Sequence, residues 1–170
     1  MTVTDPSAQA APPSTMVPVT SLRLGQLSVP TQHCFTMVAP LLGFEAETRF
    51  AIIEHEADSP FHWLQSLTSP QLTFILTVPA LFNLEYSFTI PPQAQGLLQV
   101  DQAENLWVYT LVTVPNDNPQ GMTTNLVAPL LFNPKNGLGM QLVLDNAPKH
   151  YTTRVPLLAD AEAQPTAGEA

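Results

Sequence analysis

Positive charge is the scarcest resource of this chain. Five Lys and Arg stand against 14 Asp and Glu, a formal charge of −9 with histidine neutral. The five, Arg23, Arg49, Lys135, Lys149 and Arg154, are scattered along the sequence. Affinity for nucleic acid rests on Lys and Arg neutralising phosphates, so no direct nucleic-acid partner is expected. An acidic field of this size either draws a basic protein or simply keeps the chain in solution. Cysteine is almost missing as well. Cys34 alone cannot form an internal disulfide, which fits a reducing compartment. Its place beside Phe35 fits a small buried hydrophobe. No run of 18 apolar residues occurs, so no membrane span is expected. The first residues have neither the basic stretch nor the apolar stretch of a secretory signal. A cytoplasmic location is therefore the expectation.

Glycine is outnumbered by proline, 7 to 18. Proline has no N–H to donate and clashes with the preceding helical turn, so long helices are excluded. Charged residues make up only 11%, and the wetted surface must rely on Thr, Gln, Asn and Ser. Hydrophobic residues, at 45%, suffice for one core in a chain of 170 residues.

What the chain does have is a period of two. Leu84, Tyr86, Phe88 and Ile90 alternate with Glu85, Ser87 and Thr89, the pattern of a half-buried strand. Residues 72–78 and 138–144 alternate in the same way. "LWVYTLVTV", 106–114, is apolar on both faces and suits a central strand. "RFAIIEHE", 49–56, is a strand that fades into charge. "NPKNG", 133–137, places Asn-Gly between two apolar runs and predicts a hairpin, with Asn133, Pro134 and Gly137 as turn residues. Pro129 confines its strand to an edge or a bulge. "PQAQGLL", 92–98, is the one short helix expected, and 115–121 is a loop. "PFHWLQSLTSPQLTFILTVP", 60–79, reads locally either as a helix capped by Ser59 or as strands, with Phe61 and Trp63 expected in the core. These features predict a mainly β single domain, an antiparallel sheet that closes or folds over itself, with one short helix. Residues 1–20 are expected to be a disordered Pro/Ala-rich tail, 21–158 the β domain and 159–170 a second disordered tail. Within the first boundary, "VPVTSLRLGQLSVP", 17–30, suits either an edge strand or a linker.

Catalytic chemistry is sparsely signalled. His33, His55, His62 and His150 form no HxH or HxxxH pair, and there is no CxxC, so no metal site is expected. Ser66, His62 and Glu54 would make a hydrolytic set only if folding brought them together, and no GxSxG elbow supports it. Neither GxGxxG nor a Walker loop occurs, and no cofactor is expected. Glu45, Glu47, Glu54, Glu56 and Asp58 read as a solvated face. Gln65 and Ser66 are candidates for hydrogen bonds to a neighbouring backbone or for a contact surface.

Five blocks occur in one order and spacing: "LLGFEAETRFAIIE" (41–54), "PFHWLQSLTSPQLTFILTVP" (60–79), "LWVYTLVTVP" (106–115), "MTTNLVAPLLFNPKNGLGMQLVL" (122–144) and "YTTRVPL" (151–157). Together they resemble the flagellar assembly factor FliW family over about residues 35–158. The most specific are Trp63–Ser66 and Thr124–Pro129. The resemblance implies a mainly β fold, a compact antiparallel β-barrel-like single domain with at most one or two short helices, and it resolves 60–79 as strand, turn at Thr68–Gln71, strand. It also implies a non-enzymatic partner switch between flagellin and the RNA-binding translational repressor CsrA. In such a switch, export of flagellin frees the factor to capture CsrA away from its RNA-binding face, and flagellin translation resumes. A monomer or small oligomer is expected. The partner-binding candidates are Glu45, Glu47, Gln65, Ser66 and Asn125. One departure stands out: Met37, Val38, Ala39 and Pro40 occupy positions where the family commonly has aromatic, proline, acidic residue and glycine, and Pro40 reshapes that turn. The alternatives are a small β-barrel metal-dependent or hydrolytic enzyme, or a β-structured scaffold subunit.

Overall fold

A computed structural model describes residues 15–158. The described residues open with a hairpin of β1 (Met16–Ser21) and β2 (Gly25–Pro30). The main sheet then runs through β3 (Cys34–Ala39), β4 (Arg49–Glu54), β5 (Phe61–Ser66), β6 (Thr73–Thr77) and β7 (Trp107–Thr113). It is completed by β8 (Thr123–Thr124), β9 (Leu130–Asn133), β10 (Leu138–Gln141) and β11 (Val155–Pro156). The order is β11-β8-β7-β6-β5-β4-β3-β10-β9, and β9 also pairs with the first half of β7. That second pairing closes β7, β6, β5, β4, β3, β10 and β9 into a seven-strand barrel. One helix, α1 (Pro92–Leu98), packs outside it.

Every ladder is antiparallel except β3 with β10, which is parallel and shifts register between Gly139 and Met140. The exception to the all-antiparallel expectation is geometrical. An odd number of strands in a closed ring cannot alternate direction all the way round, so one neighbouring pair must be parallel.

Alternation along each strand sorts residues into barrel interior and barrel exterior. Phe35, Met37, Phe50, Ile52, Leu64, Leu76, Tyr109, Leu130 and Phe132 fill the interior with Leu41. The exterior has two covers. The β1–β2 hairpin lays Val19 and Val29 over Cys34 and Ala51. Helix α1 lays Ala94 and Leu98 over Leu131, Met140 and Leu142, with Ile90 and Leu106 in the same cluster. β7 therefore buries both faces along part of its length, which explains the two-sided apolar run at 106–114. Each aliphatic side chain so buried contributes about 1.5–3 kcal/mol.

Three expectations change. Residues 16–20, placed in a disordered tail, form most of β1, because Val19 is needed to cover Ala51; the rest of that tail and residues 159–170 lie outside the described residues. Residues 84–90 bury alternate side chains as a strand would, yet they join no sheet. Phe61 and Trp63 are half-buried on the barrel exterior, because Leu64 claims the interior parity of β5. The Asn133 turn carries a second duty: its buried side-chain amide donates to the Leu98 carbonyl at 2.9 Å, tying the end of α1 to the β9–β10 hairpin.

The parallel seam leaves no room for a side chain at Gly139. A Cβ built there meets the Phe132 ring at 2.7 Å and Met37 Sδ at 3.1 Å. Phe132 is fully buried among its neighbours and has nowhere to go. Gly139→Ala is expected to destabilise the fold by about 1–3 kcal/mol, read as a lower urea midpoint with an unchanged m-value.

Candidate functional site

The loop between β3 and β4 faces the turn between β5 and β6, and Glu47 joins them. Its carboxylate accepts from the hydroxyls of Ser66 at 2.5 Å, Thr68 at 2.7 Å and Ser69 at 2.5 Å. Ser66 Oγ in turn accepts from the backbone N–H groups of Ser69 at 2.9 Å and Thr68 at 3.2 Å. The Ser66 hydroxyl, then those of Ser69 and Thr68, hold the Glu47 carboxyl below its usual value of 4.5. Gln65 secures the same turn from the other side. Its amide donates to the carbonyls of Ser66 at 3.0 Å and Ser69 at 3.3 Å, and its carbonyl accepts from the Thr73 hydroxyl at 2.5 Å. Gln65 is 0% and Ser66 1% exposed, so both serve the fold and neither presents a side chain to solvent.

Asn125 plays the same part elsewhere. Its side-chain oxygen accepts from the N–H groups of Val127 at 3.0 Å and Ala128 at 3.2 Å, shaping the approach to Pro129 and β9. Glu45 differs. It is exposed, and its carboxylate accepts the Gly43 N–H at 3.0 Å, where Gly43 sits at φ +87°. The Gly43 N–H, then the backbone N–H of Glu45 itself, hold the Glu45 carboxyl below its usual value. The five candidates thus do not converge: Glu47, Gln65 and Ser66 share one turn, Glu45 stands near them in the facing loop, and Asn125 is a separate turn residue.

The hydrolytic set is not assembled. The Ser66 hydroxyl is spent on Glu47, and the buried Nδ1 of His62 has no hydrogen-bond partner. His62 lies with its ring 5.2 Å from Tyr109 inside the barrel. Burial pushes its pKa down, with Glu54 opposing and His33 adding to the shift. Among the described residues no three His, Cys, Asp or Glu are grouped to hold a metal ion. No helix among them is long and apolar enough to cross a membrane.

One surface feature escaped the sequence. Trp63, Ile75 and Val112 lie in register across β5, β6 and β7 on the barrel exterior. With Phe61, Val114 and Met122 they line a shallow apolar pocket of about 90 Å³. Arg23 covers the Trp63 ring from 5.3 Å, and the indole N–H donates to His55 Nδ1 at 3.1 Å. Parity alone would have put Trp63 on this face, but the row appears only once the strand pairing is known.

Known proteins bear on this arrangement. The family model described as FliW protein matches residues 18–157. A flagellar assembly factor FliW of Natranaerobius thermophilus is 36% identical over 144 residues, 84% of this chain and 93% of that relative. One from Magnetococcus marinus is 32% identical over 82% of this chain and 83% of its own length. A crystal structure of a flagellar assembly factor FliW superposes with a TM-score of 0.74 at 26% identity, covering 85% of this chain and 99% of that one.

The Glu47 clamp fixes a pH dependence. Its folded carboxyl titrates below the unfolded value, so its stabilisation is complete above about pH 4.5 and is lost as pH falls through the lower folded value. Glu47→Gln is expected to be less stable than the unaltered chain at pH 7, and the gap between their urea midpoints should shrink as pH is lowered from 5 to 3. A gap that stays constant across that range would show that the carboxylate charge contributes nothing.

Proposed function

The chain belongs to the FliW family, and from that membership we propose that it is a non-enzymatic flagellar assembly factor acting as a cytoplasmic partner switch. It binds newly made flagellin and, when flagellin is depleted by export, binds the translational repressor CsrA and relieves repression of flagellin translation. The observation that carries this reading is the extent of the match. Residues 18–157 take in the whole barrel, both turn-forming polar blocks and all but the first two residues of the β1–β2 hairpin. A charge of −9 suits a basic RNA-binding partner. A switch of this kind works by mass action between two moderate affinities, and it needs no catalytic group.

Titration calorimetry of the full chain against flagellin and CsrA from the same source tests the reading. Saturable binding to each, with one displacing the other, is the expected result. Binding to one alone would keep a regulatory role and remove the switch; binding to neither by a folded sample would overturn the proposal.

Glu45 is the candidate through which an acidic surface meets a basic partner, because its carboxylate is exposed, whereas Glu47 is committed to the turn. Glu45→Lys is expected to weaken CsrA binding by about two- to fivefold at low salt and to flatten its salt dependence. Equal affinity for the variant and the unaltered chain at low salt would remove Glu45 from the contact.

A further inference from the structure

Four large apolar side chains stand exposed around one end of the parallel β3–β10 seam: Leu42 at 59%, Phe44 at 37%, Leu97 at 42% and Val143 at 45%. A single exposed leucine is ordinary on a protein surface, whereas several gathered from separate elements mark a contact. The seam gathers them. Met140 of β10 is in register with Ala39 of β3, and the strands run parallel, so the chain leaves both at the same end of the barrel. Leu42 lies just past the end of β3 and Val143 just past the end of β10. The Gln141 side chain links the two exits. Its carbonyl accepts the Leu42 N–H at 2.8 Å, and its amide donates to the Ala128 carbonyl at 3.2 Å. Val143 and Leu97 of α1 line one groove of about 680 Å³.

The loop that carries Leu42 and Phe44 is held in shape. The Phe44 N–H donates to the Leu41 carbonyl at 2.9 Å, and the Glu47 N–H to the Phe44 carbonyl at 3.0 Å. Leu41 is buried in the barrel core, and the Phe44 ring lies 4.9 Å from that of Phe74. Leu42 therefore projects from a turn fixed on both sides. Turn positions in water ordinarily carry polar residues or glycine. An apolar side chain presented there by an ordered loop loses little conformational freedom on contact. The charge of this surface has one sign. Residues 40–48, 92–98 and 141–146 include Glu45, Glu47 and Asp145 and no Lys or Arg. Glu45 is exposed, and Asp145 lines the groove.

We propose that this end of the seam is the docking surface for the basic protein partner, with Leu42 and Val143 taking apolar side chains of that partner and Glu45 and Asp145 taking its Lys or Arg. The complement of apolar side chains accompanied only by carboxylates is an apolar surface accompanied by basic groups. The apolar contacts supply the affinity, and the carboxylates set the choice of partner and the rate of encounter. Glu47 is committed to the hydroxyls of the facing turn, so it adds to the field without reaching out. A second copy of this chain is disfavoured as the occupant, because it would set carboxylates against carboxylates.

This inference rests on the CsrA-binding reading above, and one set of titrations keeps the two apart. The full chain, Leu42→Ser, Val143→Ser and Leu81→Ser would each be titrated with intact CsrA and intact flagellin by calorimetry, after their urea midpoints are compared. Leu81 is 60% exposed beyond the far end of β6 and is the control for losing an exposed leucine elsewhere. The expected result is that Leu42→Ser and Val143→Ser keep the fold and each weaken CsrA binding roughly tenfold, while Leu81→Ser stays within about twofold of the unaltered chain. If Leu42→Ser does not fold, Val143→Ser decides. CsrA binding by the unaltered chain that both variants match would overturn this surface and leave the partner reading standing. Absence of CsrA binding by the unaltered, folded chain would overturn the partner reading and the surface with it. Weakened flagellin binding beside unchanged CsrA binding would assign the surface to the other partner and overturn the proposal. A concentration-dependent dimer of the unaltered chain that is lost with Leu42→Ser would assign it to a second copy, with the same consequence.

Discussion

A closed ring of seven strands must contain one parallel pair, and the rest of this barrel is arranged around where that pair falls. It falls between β3 and β10, strands far apart in sequence, so chain entropy gives no help in forming it. The pair is held instead from both sides. Inside, Gly139 lets the Phe132 ring and Met37 approach closely. Outside, α1 and Ile90 cover Met140 and Leu142. The register shift at Gly139/Met140 lies at the same point, so the seam combines a close approach at Gly139 with a ladder that breaks register. A helix over this seam also explains why a β protein with so much proline keeps about two turns of helix at all.

The polar residues of the two most distinctive blocks are spent inside the fold, most of them on turns and Thr124 on a bond from β8 to β7. Ser66, Gln65 and Glu47 bind the β5–β6 turn to the β3–β4 loop, and Asn125 shapes the entry to β9. Sequence blocks as specific as these invite a functional reading, and here their specificity has a structural cause. A tight turn that must satisfy several buried backbone groups tolerates few residue types. The exposed Glu45 and the Trp63 row, both within the matched blocks, are what those turns leave on the surface.

Much of the fold was legible because it is local. The helix over 92–98 and the hairpin after Asn133 are written in short-range signals, and strand-turn-strand over 60–79 follows from the family blocks. The rest depends on pairing. A period of two over 84–90 records which side chains are buried, and it is silent on whether a neighbouring strand exists. β1 was hidden because its proline- and threonine-bearing sequence has only Val19 as a deep anchor, and its value comes from covering Ala51 in a strand it does not touch in sequence. Trp63 was assigned to the core by size, but the parity of β5 gives the interior to Leu64 and His62. Glu47 reads in the sequence both as part of a solvated acidic face and as a partner-contact candidate, and only the hydroxyls that fold against it show its part in the turn.

The unpaired segment 84–90 is costless to the free protein only while water serves its backbone groups, and that condition limits how it can be built. Buried, those groups would each lose about 1–3 kcal/mol; on an open rim they would template edge-to-edge aggregation. The structure avoids both. Two tyrosines anchor the segment at Ser87 and Leu126, Pro91 and Pro92 end it, and its position in a groove denies access to another sheet while leaving it wet.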